Sequence, residues 1–261
     1  MELIASRDNA KIKYACKLSA SAALREADGR FFAESPKLCL ELAKTCRLRA
    51  LYTTEAALDR WPALAALGKQ ADFAAAVTAP VAKKLAGTLA DQGVFGVFET
   101  PPPALDTIIN GAARVLALEN VQDPGNVGTL LRSAAAFGFD GVLLGAGCAS
   151  PFAPKTLRAS MGAAGQLPTA SVEDLPAALG KLRARGVTCL AAALYNSEPL
   201  QTVTGPFARG LCVVIGSEGQ GLTGAAVAAC DKAVRIPMTD KAESLNAGVA
   251  GSILLWHFRG A

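Results

Sequence analysis

Three polar loops hold the residues of this chain whose types and spacing could do chemistry. They are residues 120–132, 214–221 and 235–246, and each follows an apolar run typical of a buried strand. Glycine in such a loop lets a ligand approach the backbone, and the positive end of a following helix favours negative groups. Ligands of parallel-sheet proteins usually bind where strands end. The loops therefore predict one binding site at a sheet edge.

The first loop combines a turn with the start of a helix. The Asp-Pro-Gly sequence at 123–125 has turn composition, and Asn126 is a suitable N-cap for a helix predicted over residues 127–137. Arg132 follows in that helix among leucine and alanine residues. A cation beside a buried helix face needs a partner or a cleft, so Arg132 is a candidate functional residue. A surface arginine held by a salt bridge is the alternative.

The second loop carries three glycines and one carboxylate, Glu218, directly after the apolar run 211–215. This carboxylate could pair with Arg132 or bind a ligand. The loop matches neither the glycine pattern of dinucleotide-binding proteins nor the lysine-bearing phosphate loop. The sequence therefore argues against a nucleotide-dependent oxidoreductase or phosphotransferase.

The third loop joins a short strand, ended by Pro237, to the last helix of the chain. Ser244 is predicted as its N-cap, because the hydroxyl can accept an unpaired N–H of the first turn. The predicted helix, residues 244–258, is apolar on most faces. Such a helix has to be covered by its own sheet and by a second subunit.

Alternating strand and helix patterns predict an α/β fold with a parallel sheet in the C-terminal part of the chain. The predicted strands span residues 115–119, 141–144, 187–193, 211–215 and 233–237. The predicted helices span residues 127–137, 155–161, 175–185, 223–230 and 244–258.

A smaller α/β unit is predicted for the N-terminal part, where Ser35 and Pro36 together mark the start of a helix. Three consecutive prolines at 101–103 favour a stiff spacer after this unit. The predicted organisation is a domain over residues 1–98, a Pro-rich linker over 99–113 and a second domain over 114–261.

The positive charge of the chain is concentrated at its N-terminal end. Residues 1–50 contain ten Lys and Arg against six Asp and Glu, and the whole chain has a formal net charge of +4. Arg7, Lys11 and Lys13 lie on or beside a predicted amphipathic helix with a basic exposed face. This face predicts contacts with phosphate groups. A solvated surface helix is the alternative.

Seven cysteines without a C-x-x-C pair, and a single histidine, argue against a disulfide framework and against a zinc site. Reduced, buried thiols are predicted instead, within a core supplied by a chain that is 51% hydrophobic. No signal peptide and no apolar run long enough to span a bilayer is present, so a cytoplasmic protein without membrane contact is expected.

Together the three loops resemble the SpoU/TrmH family, within the SPOUT superfamily, of knotted RNA 2′-O-ribose methyltransferases. The resemblance is carried by E-N-x-x-D-P-x-N-x-G-x-x-x-R, then G-S-E-G-x-G, then I-P-M followed by E-S-L-N, over residues 114–258. It extends to residues 154–162, and residues 1–98 resemble the substrate-binding domain that often precedes the catalytic one. The resemblance implies a C-terminal α/β domain with a deep trefoil knot and an N-terminal α/β domain that binds RNA.

The resemblance also implies S-adenosyl-L-methionine as methyl donor and assigns the site residues by position. The expected contacts of this ligand, largely through backbone groups, are Leu194, Gly216, Ile236, Met238 and Leu245. The expected catalytic residues are Arg132, Asn126, Glu218, Ser244 and Asn246. The expected RNA contacts are Arg7, Lys11, Lys13, Arg158 and Ser160, and no metal is expected.

The implied reaction is attack of a ribose 2′-hydroxyl on the donated methyl group. A hydroxyl is a weak nucleophile near neutral pH, so it needs orientation and removal of its proton. The family gives the arginine, here Arg132, a central role. Because a guanidinium keeps its proton in proteins, we expect Arg132 to grip the adjacent phosphate and align the hydroxyl rather than act as a base.

Two positions depart from the family pattern. Asp240 stands where glycine is common, and Ala247-Gly248 stands where Val-Ser is common. The first lies in the loop expected to hold the methyl donor, and the second removes a hydroxyl from the first turn of the last helix. Ser244 and Asn246 are unchanged, so activity is still expected.

The two-domain arrangement points to large-subunit (23S) rRNA as the substrate, with tRNA as the alternative. Family members are usually homodimers that pack the C-terminal helix across the interface, which suits the apolar helix 244–258. A non-catalytic RNA-binding protein that keeps the knotted fold is the other alternative. The presence of Arg132, Glu218 and Asn246 argues against it.

Overall fold

The computed structural model describes residues 1–88, 91–205, 207–217 and 219–260. The chain forms two compact units. The first consists of Met1–Pro102 with Phe152–Gly165, and the second of Pro103–Pro151 with Gln166–Ala261. Both units contain strands and helices, and the second holds a parallel sheet, so the predicted α/β class is confirmed.

The N-terminal elements follow one another in the order β1 (Glu2–Ile4), α1 (Ala10–Ala20), α2 (Ala22–Asp28), β2 (Arg30–Glu34), α3 (Pro36–Leu42), β3 (Leu48–Thr53), α4 (Glu55–Arg60), α5 (Ala63–Gln70), β4 (Phe73–Val77), α6 (Ala79–Leu85) and β5 (Val94–Glu99). Their strands form one mixed sheet in the order β1-β4-β3-β5-β2. Strands β1, β4 and β3 are parallel, and β5 runs antiparallel to both β3 and β2.

Aromatic side chains fill the core of the first unit on both faces of this sheet. Phe31 stacks on Phe98 with ring centroids 5.5 Å apart, and Phe32 stacks on Phe95 at 6.1 Å. Consecutive residues of a strand point to opposite faces, so the Phe31-Phe32 pair supplies one ring to each layer. All four rings are buried.

The remaining elements are, in chain order, α7 (Leu105–Gly111), β6 (Arg114–Leu118), α8 (Pro124–Ala136), β7 (Gly141–Leu144), α9 (Pro154–Ser160), α10 (Ala163–Gln166), β8 (Thr169–Ser171), α11 (Leu175–Ala184), β9 (Thr188–Ala192), β10 (Glu198–Pro199), a 3-10 turn (Leu200–Thr202), β11 (Leu211–Ile215), α12 (Gly224–Ala228), β12 (Lys232–Arg235) and α13 (Ala247–His257). The sheet of the second unit has the strand order β10-β12-β9-β11-β6-β7-β8. Each of its pairings among the described residues is parallel.

The central strand β11 is buried along its whole length. An unbroken run of Leu, Cys, Val, Val and Ile is typical of a parallel strand covered on both faces. Helices α7 and α11 cover one face through residues that include Ile108 and Leu179. Helix α13 packs against β11 and α8. After β12, the chain therefore passes β9 again to reach α13. The family resemblance implies that the knot lies along this segment.

Two predicted helix starts are wrong. Asp123, rather than Asn126, caps α8, because its carboxylate accepts the N–H groups of Gly125 (2.7 Å) and Asn126 (3.0 Å). Proline at 124 suits the first helical position, where no N–H is needed. Asn126 therefore lies inside the first turn. The same proline rule correctly places Ser35 as the cap of α3.

The C-terminal helix begins at Ala247 instead of Ser244. Asn246 is the cap, with its Oδ1 accepting the Val249 N–H at 3.2 Å. Both residue types are good caps, so composition alone does not separate them. As a consequence, Ser244 and Leu245 belong to the loop that precedes the helix.

The proline run ends the first unit, but the stretch predicted as a linker also contains α7, whose Ile108 and Ile109 enter the core of the second unit. Helix α9, which the sequence assigned to residues 114–261, belongs to the first unit. Strands β8 and β10 are not among the strands predicted for the C-terminal part of the chain. Within the described residues, no helix is long and apolar enough to cross a membrane.

Candidate functional site

A cavity of about 330 Å3 lies where strands of the parallel sheet end in the second unit. It is lined by the segments that follow β9, β11 and β12 and by the approach to α13 and its first turns. Parallel strands end at the same edge of their sheet, so loops that are distant along the chain meet there.

The five residues expected to bind the methyl donor all line this cavity. Leu194 comes from the loop after β9, Gly216 from the end of β11, and Ile236 and Met238 from the segment after β12. Leu245 precedes α13. Ser244, expected among the catalytic residues, lines the cavity too. The structure thus brings together four segments that the sequence connects only through the family pattern.

Gly216 is required by a close approach of two backbone segments. A Cβ at this position would collide with the carbonyl group of Gly221 and would lie 2.5 Å from the Leu222 amide nitrogen. The loop folds back here, with the Gly221 N–H donating to the Ser217 carbonyl at 2.9 Å. Gly221 itself has a φ of 68°, which glycine adopts without strain. The glycines of this loop therefore set the shape of one cavity wall.

Two carboxamides meet beside the first turn of α13. A Cβ placed on Gly248 would lie 3.1 Å from the Oδ1 of Asn126 and equally 3.1 Å from the Oδ1 of Asn246. Asn126 comes from α8 and Asn246 from the cap of α13, so helix packing joins two expected catalytic residues. The departure from the family at Gly248 means that no side chain of this residue stands between the two oxygens.

Arg132 is exposed on α8 and makes no hydrogen bond or ion pair with the residues that the structure describes. Leu130 and Leu131 are buried while Arg132 faces solvent, so Arg132 lies on the exposed side of the helix, beside the buried face. Its guanidinium is therefore available to a ligand. Arg132 does not line the cavity. The proposed partner Glu218 lies outside the described residues.

Sequence reasoning missed several residues of the cavity wall. The cavity is also lined by Tyr195, Ser217, Gln220 and Arg235. The Tyr195 side chain is 84% exposed. The rule that loops after parallel strands form sites would have found Tyr195, because it closely follows a predicted strand. An exposed tyrosine beside Leu194 gives this part of the wall an aromatic face.

The predicted basic face is present in the first unit. Arg7, Lys11 and Lys13 are exposed, and Lys84 of α6 joins them by donating to the Arg7 carbonyl at 2.7 Å. Lys13 pairs with Asp8 at 2.9 Å, and this hydrogen-bonded ammonium lowers the pKa of the Asp8 carboxyl. The Lys11 ammonium lies 3.5 Å from the centroid of the Phe73 ring.

Arg158 and Ser160 are not part of the cavity, because α9 belongs to the first unit. Ser160 is buried to 1% exposure, and its hydroxyl donates to the Leu157 carbonyl at 3.1 Å. An RNA contact at Ser160 is therefore not supported. Helix α9 buries one side, which includes Ser160, and Arg158 stays half-buried.

The cysteines carry no sign of reactivity. All seven are free and either buried or half-buried. Burial raises the pKa of the Cys148 thiol beside the first loop, and burial raises that of Cys230 to about 12. A thiol nucleophile needs a lowered pKa, so neither thiol suits that role. Within the described ranges, no group of three or more His, Cys, Asp or Glu residues could hold a metal ion.

Comparison with known proteins gives the same family over most of the second unit. Residues 113–256 match the SpoU rRNA Methylase family. A curated relative from Bacillus subtilis (strain 168), the 23S rRNA (guanosine(2553)-2′-O)-methyltransferase RlmP, is 38% identical over 169 residues. That alignment covers 65% of this chain and 65% of the relative, so the chain matches just under two thirds of the relative's length.

Solved structures are similar over both units. An AdoMet-bound rRNA methyltransferase from Sinorhizobium meliloti has a TM-score of 0.86 at 26% identity, covering 98% of this chain and 96% of that chain. A TrmH-family protein from Porphyromonas gingivalis has a TM-score of 0.82 at 29% identity, covering 97% and 98%. The family match spans more than half of the chain and includes all three polar loops. The chain therefore belongs to the SpoU rRNA Methylase family.

Proposed function

We propose that this protein is an RNA (ribose-2′-O)-methyltransferase that uses S-adenosyl-L-methionine. The observation that carries the proposal is the convergence of Leu194, Gly216, Ile236, Met238 and Leu245 on one cavity. The proposal is also supported by the 23S rRNA 2′-O-methyltransferase named among the relatives and by the AdoMet-bound structural neighbour.

The cavity fits a ligand of this kind. Its volume of about 330 Å3 is within the usual range for small-ligand sites, and its wall combines apolar side chains with strand-end backbone. The absence of a Cβ at Gly216 lets the backbone of Gly221 pack against it and so shapes the wall. When bound, S-adenosyl-L-methionine supplies a methyl carbon made electrophilic by the positive sulfur.

The residues of this chain would then orient the attacking hydroxyl. Arg132, which has no hydrogen-bond partner among the described residues, can bind the phosphate next to the target ribose, because a guanidinium donates two parallel hydrogen bonds to such an anion. A carboxamide oxygen of Asn126 or Asn246 can accept the hydroxyl hydrogen and so direct an oxygen lone pair. Transfer would join the ribose oxygen to the methyl carbon as the bond from that carbon to sulfur breaks, which leaves a neutral thioether, and the hydroxyl proton would pass to solvent. Orientation of this sort is a major part of catalysis.

We place the substrate among large RNAs, with 23S rRNA ahead of tRNA. The name of the Bacillus relative supports rRNA. The basic face of Arg7, Lys11 and Lys13 in the first unit is the surface proposed to contact RNA phosphates, and Arg158 is a further candidate. An enzyme acting on these RNAs would work in the cytoplasm.

We also propose a homodimer that uses α13. Val249, Ile253 and Trp256 are spaced along one side of this helix, and their side chains are 48%, 37% and 52% exposed. Apolar residues at this spacing form a stripe that a second copy can cover. The opposite side of the helix already packs in its own unit through Gly251 and Leu254.

Substituting Gly216 tests whether the cavity binds S-adenosyl-L-methionine. We expect Gly216→Ala to raise the Kd by about five- to a hundredfold, since overpacking of about 1–3 kcal/mol has to be relieved by moving the Gly221 backbone. The measurement is isothermal titration calorimetry with S-adenosyl-L-methionine. Gly224→Ala is the control, because a Cβ there meets nothing within 4 Å. Equal affinity in both variants would contradict the site.

Substituting Arg132 distinguishes a role in catalysis from a role in binding S-adenosyl-L-methionine. We expect Arg132→Ala to lower kcat by about a hundredfold or more, as when a positioned transition-state donor is lost. The Kd for S-adenosyl-L-methionine should stay unchanged, because Arg132 does not line the cavity. The assay transfers labelled methyl groups to rRNA and tRNA from cells that lack the gene, followed by nucleoside-resolved mapping.

The matched control for this assay is Arg209→Ala, an exposed arginine of the same unit. We expect the unaltered protein and the Arg209 variant to methylate a single ribose, and the Arg132 variant to lose this methylation. If the unaltered protein binds S-adenosyl-L-methionine and RNA but methylates neither RNA class, the non-catalytic alternative replaces this proposal.

The basic face is tested by the salt dependence of RNA binding. We expect the double variant Arg7→Ala, Lys13→Ala to bind rRNA fragments more weakly. The slope of log affinity against log salt concentration should become about 1–2 less steep, because fewer phosphate contacts form and fewer counterions are released on binding. Filter binding over a range of KCl concentrations measures the slope. Lys69→Ala, an exposed lysine of α5, should leave the slope unchanged. An unaltered slope in the double variant would remove this face from the proposal.

The dimer is tested by placing a charge on the α13 stripe. We expect the unaltered protein to have about twice the 26.7 kDa chain mass and Ile253→Asp to be monomeric, because burying an unpaired carboxylate is strongly unfavourable. Size-exclusion chromatography with light scattering measures both masses. Leu3→Asp, a charge placed on an exposed leucine of the first unit, is the control. A monomeric unaltered protein at micromolar concentration would argue against the dimer.

A further inference from the structure

We propose that Glu119 is a positioning residue that fixes both ends of the glycine-rich cavity loop. This inference rests on the proposed function, because it concerns the affinity of the cavity for S-adenosyl-L-methionine. Glu119 directly follows β6 and does not line the cavity. It directly precedes the first polar loop and is the first residue of the family pattern, yet neither that pattern nor the proposed reaction gives it a role.

The two ends of the loop contact different parts of Glu119. At the start, the Glu119 N–H donates to the carbonyl of Ile215, the last residue of β11, at 2.9 Å. At the end, the Glu119 carboxylate accepts two hydrogen bonds from Thr223, one from its N–H at 2.8 Å and one from its hydroxyl at 2.9 Å. Residues 216–222 lie between these attachment points.

The Thr223 hydroxyl has a fixed orientation. Its oxygen also accepts the Ala226 N–H at 3.1 Å, which caps α12. A hydroxyl has a single hydrogen, and here that hydrogen is directed to Glu119. The carboxylate therefore holds the loop end through a charge-assisted pair of bonds, which are stronger than bonds between neutral groups.

The loop held in this way forms much of the cavity wall. Gly216, Ser217, Gly219, Gln220, Gly221 and Leu222 all line the cavity. Released at the Thr223 end, a segment this rich in glycine gains many conformations, and ligand binding then has to order it. Loss of the Glu119 carboxylate should therefore weaken ligand binding before it affects the chemical step.

Glu119 also joins the cavity loop to the segment that leads to the catalytic candidates. Asn120, the next residue, has a φ of 54° and starts the turn that continues to α8. Helix α8 carries Asn126 and Arg132. Glu119 is thus adjacent in sequence to the segment that carries the proposed substrate-orienting residues, and it is hydrogen-bonded to the loop that lines the cavity.

The test uses the full chain and five variants. We expect Glu119→Ala to raise Kd and KM for S-adenosyl-L-methionine about tenfold, the effect of losing hydrogen bonds to a charged group. Its kcat and its KM for RNA should remain within about twofold, because the reacting groups are untouched. Glu119→Gln and Thr223→Val each remove part of the contact, and we expect about threefold increases. Thr223→Ser keeps both the N–H and the hydroxyl donor, so it should have the affinity of the unaltered protein. The control is Glu173→Ala, which removes the carboxylate of an exposed glutamate outside the loop.

Two outcomes would overturn the inference. One is a lower melting temperature of Glu119→Ala with unchanged Kd, which would make the contact a plain helix cap. The other is a loss of affinity in Thr223→Ser that equals the loss in Thr223→Val. Amide hydrogen exchange across residues 216–222 gives an independent result, because Glu119→Ala should speed it without any ligand. If the unaltered protein binds no S-adenosyl-L-methionine, the proposed function fails, while this exchange measurement still decides whether Glu119 holds the loop.

Discussion

The close packing of α13 against α8 is the contact on which the rest of the site depends. Gly251 permits it, because a Cβ there would collide with Leu130. The hydroxyls of Ser133 and Ser252 lie 2.7 Å apart and add a polar tie between the same helices. This packing brings the α13 cap, Asn246, beside Asn126, and it also ends the return of the chain past the parallel sheet. A bulkier residue at 251 would separate both asparagines and open the cavity wall.

Strand order explains why the cavity needs residues from such distant parts of the chain. Strand β9 lies between β11 and β12 in the sheet, so the loops that follow all three strands are neighbours at one edge. The chain reaches β12 through α12 and then comes back to α13 along residues 236–246. Ile236, Met238 and Leu245 lie on this return, which makes the crossing segment itself part of the wall.

The long apolar strands and the polar loops after them could be predicted from the sequence, whereas contacts between loops could not. The runs at 141–144 and 211–215 coincide with strands because both are buried on two faces. Strand β10 has two residues and leaves no pattern to detect. The sequence misplaces the cap of α8 because an Asp-Pro pair also has turn composition, whereas the pair Ser35 and Pro36 correctly marks a helix start. The grouping of the five cavity residues came from the family resemblance and not from their spacing.

Missing side chains shape this site as much as the side chains that are present. Gly216 makes room for the backbone of Gly221, and Gly248 places no side chain between two asparagine oxygens. A wall built in this way offers mostly backbone groups and shape, and among the described residues Arg235 is the charged member of its lining. Because glycines and apolar residues dominate the lining, composition alone does not mark the cavity. The glycines also call for a tie outside the cavity, since glycine-rich backbone does not hold its own conformation. In this structure the carboxylate that supplies such a tie is Glu119.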